Sequence, residues 1–119
     1  MSFVIDRLWN TAGRLGLSQA DLAEMLGTTP GIVEAWLTGE LAPRVGIQPR
    51  LDDVTDILEA LSRRMAPTAA RRWLRQPHPR LDFATPLELM SCGAYQYLML
   101  ALDLGSRRTL DPFDADAVR

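Results

Sequence analysis

Between Thr68 and Leu104 the chain is a dense run of helix starts and stops, and it ends in a helix apolar on nearly every side. In that last helix, from about Ala94 to Leu104, only Gln96 and Asp103 are clearly polar. A helix without a polar face must be buried, and a chain of 119 residues has little interior of its own to bury it in. The feature points to a partner surface rather than to an active site.

The size allows one or two small domains around a modest core. An apolar content of 47% and a mean hydropathy of −0.05 place the chain among soluble globular sequences. No apolar run reaches the length of a membrane span, and the N-terminus lacks the charged-then-apolar pattern of a secretion signal. Cys92 is the single cysteine, so no intramolecular disulfide is possible and the cytoplasm is the expected compartment. All 13 basic residues are arginine, which reads as a genome-composition bias before a functional choice. Charge divides the chain: residues 1–60 carry net −5 and residues 61–119 carry net +3.

The first half reads as helices. Val4, Leu8, Ala12 and Leu15 fall at helical spacing in an opening segment from Phe3 to Leu15. Ser18 then suits an N-cap with Asp21 at the capping-box position, and Leu17 and Leu22 suit the hydrophobic staple. Leu22, Ala23 and Leu26 supply an inner face, and Gly27 ends the helix. Thr29 caps the next one with Pro30 at its first position. Val33, Trp36 and Leu37 face inward, and Gly39 closes it.

Two short helices joined by a tight Gly-containing turn predict helix-turn-helix geometry. The residues Leu17-Ser18-Gln19, Leu22-Ala23, Leu26-Gly27, Thr29, Val33, Trp36 and Gly39 resemble the Xre/Cro repressor family over roughly residues 4–60. In such a motif the second helix presents its N-terminal residues to base edges. Here those residues are Thr29, Gly31, Ile32, Glu34 and Ala35, with no basic side chain and no Asn or Gln to pair with adenine. Gln19 matches a family position that contacts phosphate, and Arg44 and Arg50 in the following loop offer the same contact. Gln19, Thr29, Gly31, Glu34, Arg44 and Arg50 are thus the candidate DNA-binding residues. Against them stands a half that carries net −5, so two readings remain open: a scaffold that has lost its reading surface, or a weak binder that works as a multimer.

The loop Ala42–Pro49 leads into an amphipathic helix with Leu51, Val54, Ile57, Leu58, Leu61 and Met65 in one stripe. Asp52 and Asp53 suit its positive end, and Arg63 and Arg64 suit its negative end. It is expected to pack on the preceding helices and join them to the second half of the chain, although the same stripe suits a dimer seam.

Pro67 opens a short helix through Trp73 and Leu74, which Gln76-Pro77-His78-Pro79 stops. Leu81-Asp82-Phe83-Ala84 is a connector. Thr85-Pro86-Leu87-Glu88 is a capping box with a proline start, and Cys92-Gly93 breaks the chain before the last helix.

This block resembles the toxin-binding domain of the Xre/MbcA/ParS antitoxins, partners of RES-domain toxins. Trp73-Leu74, Pro77, Leu81, Thr85-Pro86-Leu87 with Leu89, Gly93, and Leu98 with Leu102 carry the resemblance. Its order, behind an Xre-like half in a chain of this length, also matches. The sequence departs at His78, where the family commonly has Asn, and at Asp82-Phe83-Ala84, where it commonly has glycines.

The resemblance implies an antitoxin that dimerises and holds a cognate RES-domain toxin by covering its NAD cleft, partly with the C-terminal segment. Phe113 would then anchor in an apolar pocket, while Asp114 and Asp116 pair with arginines that hold NAD phosphates. The other reading of that tail is a solvated terminus. The candidate toxin-binding residues are Arg71, Arg75, His78, Tyr95, Tyr97, Met99, Leu110, Phe113, Asp114 and Asp116. His78, between two prolines, is expected to be an exposed loop residue, and Trp73 a core residue.

His78 and Cys92 are the only residues of their kinds, so they imply neither a metal site nor a nucleophile–base pair, and no cofactor is expected. No Gly-rich phosphate loop or zinc spacing appears, and no enzyme reading survives. The expectation is therefore an all-α antitoxin with three parts. Residues 1–65 form an Xre/Cro-like helix-turn-helix bundle, ending in the amphipathic helix that joins it to a small toxin-binding helical domain at 66–105. A tail at 106–119 completes the chain. The competing reading is a stand-alone Xre-type transcriptional regulator whose C-terminal half only dimerises; a third is a helical adaptor that binds neither DNA nor a toxin.

Overall fold

The computed structural model describes residues 3–102, and within them it is all-helical. Helices α1 (Phe3–Leu15), α2 (Gln19–Leu26) and α3 (Pro30–Thr38) are followed by a 3-10 turn, Val45–Ile47, and the long α4 (Gln48–Arg64). Then come α5 (Pro67–Leu74), a second 3-10 turn (Pro79–Leu81), α6 (Pro86–Ser91) and α7 (Tyr95–Leu102).

Helix α4 is the axis of the fold. Leu51, Val54, Ile57, Leu58 and Leu61 of the expected stripe are fully buried, whereas Met65 lies just past the end of α4 in extended backbone and is only half-buried. Helix α1 lies along it and contributes Ile5, Leu8, Ala12 and Leu15. Ile5 takes the core place expected of Val4, which is only half-buried. At the rim of this seam Arg7 grips Glu59 with two donors, Nε to Oε2 at 3.2 Å and Nη2 to Oε1 at 2.9 Å. α4 also begins at Gln48, with Pro49 in its first turn. Asp52 and Asp53 consequently sit in the second turn, beyond the strongest pull of the helix dipole, rather than at its positive end.

The capping signals form as read. Ser18 and Asp21 make a reciprocal capping box on α2, as do Thr85 and Glu88 on α6. Thr29 accepts from the Ile32 N–H at the start of α3. Gly27 and Gly39 end α2 and α3 with φ of 71° and 82°, a left-handed conformation that glycine adopts without strain.

One hydrophobic cluster runs from Ile5 to Leu98 and crosses the chain at residues 65–66 without a break. Trp73, Leu81, Met90 and Leu98 from the second half are as buried in it as the α1 and α4 residues. Trp73 occupies the core position expected of it, with its ring centroid 5.2 Å from that of His78. His78 is not the exposed loop residue its two prolines suggest. It is 5% exposed, and its Nε2 lies 3.1 Å from the Trp73 carbonyl oxygen. Its backbone also binds the loop together, accepting from the Leu81 and Phe83 N–H groups and donating to the Ala84 carbonyl.

Candidate functional site

Three arginines named as surface contacts prove to fasten helix ends. The last four carbonyls of a helix lack partners within it, and a cation there also meets the negative end of the helix dipole. At α2 all four are satisfied. The glycine turn serves Ala23 and Glu24, the Tyr95 hydroxyl donates to Met25 O at 2.6 Å, and Arg50 Nη1 donates to Leu26 O at 3.0 Å. Arg50 lies so close to Gly27 and Gly93 that a Cβ on them would stand 2.9 and 3.1 Å from its guanidinium nitrogens. It stands half-buried in the first turn of α4, not in the loop before it.

Arg71 and Arg75 work nearer the start of α2. Arg71 Nη1 donates to Leu15 O at 2.7 Å, closing the end of α1. Arg75 Nη2 donates to Asp21 Oδ1 at 2.6 Å, while Asp21 Oδ2 accepts from the Ser18 N–H in the capping box. One carboxylate therefore caps α2 and holds α5 against it. The acidic first half and basic second half meet here within one chain.

Tyr95 is likewise internal, 3% exposed, and its pKa is raised above the usual tyrosine range by burial first. Asp53 and Cys92 push it further up, and Arg50 opposes them. Of the other toxin-binding candidates, Tyr97 is exposed and Met99 is partly buried against the core. Leu110, Phe113, Asp114 and Asp116 lie outside the described residues.

Helix α7 thus divides its apolar surface. Tyr95 and Leu98 face the chain's own core, while Tyr97 and Leu100 point outward, Leu100 being 79% exposed. Helix α7 packs against the Pro79–Leu81 turn. Just beyond that turn Phe83 stands in solvent, a residue that sequence reasoning left in a connector.

On the first half, Thr29, Gly31, Glu34 and Arg44 are exposed and Gln19 is half-exposed. Thr29 has its hydroxyl oxygen engaged by the Ile32 N–H, and α3 carries no basic side chain. Beside α3, a groove of about 700 Å³ opens between Ile32, Trp36, Leu41 and Ile47, with Arg44 and Arg50 at its wall. Among the described residues no helix is long and apolar enough to cross a membrane, and no cluster of three or more His, Cys, Asp and Glu could hold a metal.

The fold matches that of a chain in the crystal structure of the M. tuberculosis MbcT-MbcA toxin-antitoxin complex. The TM-score is 0.72 at 23% sequence identity, covering 87% of this chain and 95% of that one. By sequence, the chain is homologous to the mycobacterial cidal antitoxin MbcA. It is 26% identical to the protein of that name from Mycobacterium tuberculosis over 90 residues, 76% of this chain and 80% of that protein. The Mycobacterium bovis protein of the same name matches to the same extent. A probable mycobacterial cidal antitoxin of M. tuberculosis is 27% identical over 81 residues, 68% of this chain and 69% of its own length. No protein-family model matches the chain.

Proposed function

We propose that this chain is an antitoxin that binds and neutralises a cognate toxin of the RES-domain, NAD-consuming type. The observation that carries the reading is the agreement of fold over nearly the whole described chain with an antitoxin solved in a toxin–antitoxin complex. Sequence similarity to cidal antitoxins supports it over 76% and 68% of the chain. The chain acts by occlusion rather than catalysis, covering the toxin's NAD cleft, and it works in the cytoplasm as a homodimer.

The outward face of α7 suits this role. Tyr97 and Leu100 are large apolar side chains held on a helix that the core fixes through Tyr95 and Leu98. Such side chains in solvent mark contact surfaces. The test is co-expression with the protein encoded next to this one, followed by an assay of NAD loss. A stable complex that consumes little NAD supports the reading, and a partner that binds without losing activity would refute it.

DNA binding is a secondary reading, favoured by the exposure of Thr29, Gly31, Glu34 and Arg44 around the start of α3. With Arg50 engaged internally, Arg44 is left as the cation beside that surface. Binding of the chain's own promoter would then be weak for one copy and would need several acting together.

A further inference from the structure

Phe83 combines two unfavourable features on one residue. It is 69% exposed, and its φ is 66°, directly after Asp82 at 56°. Glycine adopts that conformation freely, whereas a side chain with a Cβ meets its neighbouring carbonyl. Neither feature reflects a loose loop. The Phe83 N–H donates to His78 O at 2.8 Å, and Ala84 N–H donates to Leu81 O at 3.0 Å. Buried Leu81 and the buried His78 ring anchor both ends of the turn. The turn is closed by hydrogen bonds and holds an aromatic ring out into water.

A surface position demands no aromatic side chain, and a strained one disfavours it. Strain of this kind collects at binding and switch sites, where a partner makes use of the geometry. The surroundings resemble the centre of an interface. Exposed, charged Arg80 and Asp82 lie close by in the chain, and α7, with outward Tyr97 and Leu100, packs against the same turn. We infer that Phe83 is the anchor by which this chain grips its toxin: the ring enters an apolar socket on that protein, with α7 alongside. The occupant follows from the antitoxin reading, on which the inference rests. The fold match that supports that reading covers 87% of this chain and comes from an antitoxin solved with its toxin.

The test uses the full chain and the purified toxin. Phe83→Gly is expected to melt no lower than the unaltered protein, because glycine relaxes at this φ and little buried area is lost. Its Kd for the toxin should nevertheless rise about tenfold or more, as for a central aromatic anchor. Phe83→Asn, which also tolerates the left-handed conformation, should behave alike and guards against a folding defect in the first variant. Phe83→Leu should keep most of the affinity. If both Phe83→Gly and Phe83→Asn bind like the unaltered chain, the proposal is wrong. It is equally wrong if they change only the self-association of the free chain, since the ring would then contact a second copy. If the unaltered chain does not bind the toxin, the antitoxin reading fails, and this proposal with it.

Discussion

The hydroxyl of Tyr95 donates to the main-chain carbonyl of Met25 at 2.6 Å, seventy residues away in sequence. It joins the first turn of α7 to the last turn of α2. Next to it Arg50 takes the Leu26 carbonyl, so the end of α2 is completed by α4 and α7 rather than by its own turn alone. The two halves of the chain are thereby coupled at a single helix end.

Removing the phenol should show the strength of that joint. Tyr95→Phe keeps the ring in its buried place and leaves the Met25 carbonyl without its donor. The expected loss is about 1–3 kcal/mol, the usual cost of a buried polar group left unpaired. Urea titration of both proteins, with an unchanged slope and a lower midpoint, would bear this out. An unaltered midpoint would mean that solvent replaces the donor.

The same residue predicts a pH dependence. Burial raises the pKa of Tyr95 above its ordinary 10.0, so the folded state holds the phenolic proton more tightly than the unfolded chain does. Its contribution is complete below the unfolded value and is lost as pH rises through the folded one. Thermal melts from pH 8 to 11, in round terms, should therefore fall at the alkaline end. The gap between the unaltered protein and Tyr95→Phe should narrow there. A constant gap across that range would exclude Tyr95 as the titrating group.

Gly16 and Arg71 make a second coupled pair. Gly16 has φ of 75°, and a Cβ placed on it would lie 2.3 Å from Arg71 Nη1. Gly16→Ala should cost about 1–2 kcal/mol for the left-handed backbone alone. It should cost more because Arg71 must leave the Leu15 carbonyl. Arg71→Met by itself loses that bond and should cost about 1 kcal/mol. Once Arg71 is gone, adding Gly16→Ala should cost only the backbone part. A double-mutant cycle with no coupling would contradict the packing of guanidinium against glycine.

Local chemistry explains what could be read from sequence. Ser18 with Asp21, Thr29 with Pro30, and Thr85 with Glu88 are signals a few residues long, and each cap forms as read. The buried α4 stripe follows from apolar periodicity in the same way, and Trp73 takes the core place usual for its residue type. The destinations of the arginines did not follow. Arg50, Arg71 and Arg75 reach partners 24, 56 and 54 positions away, and no local pattern names the carbonyl or carboxylate a long side chain will find. His78 shows the same limit: flanking prolines predicted a turn correctly, but only the fold brings that turn over Trp73 and buries the ring. The left-handed backbone at Asp82 and Phe83 was hidden because neither residue is glycine.

The tail, residues 106–119, lies outside the described residues, and its proposed role makes the sharpest functional prediction. Leu110 and Phe113 supply apolar groups, and Asp111, Asp114 and Asp116 supply charge that suits a phosphate-binding cleft. If the tail covers the NAD cleft while the folded part provides the grip, the two functions separate. Deleting residues 110–119 should leave a complex with the toxin that still elutes as one species, yet NAD consumption should return. Phe113→Ala should restore part of that activity, and Asp114→Asn with Asp116→Asn should do so more strongly at low salt than at high salt, where charge pairing is already screened. Full inhibition by the deleted chain would place occlusion on the folded surface around α7 instead.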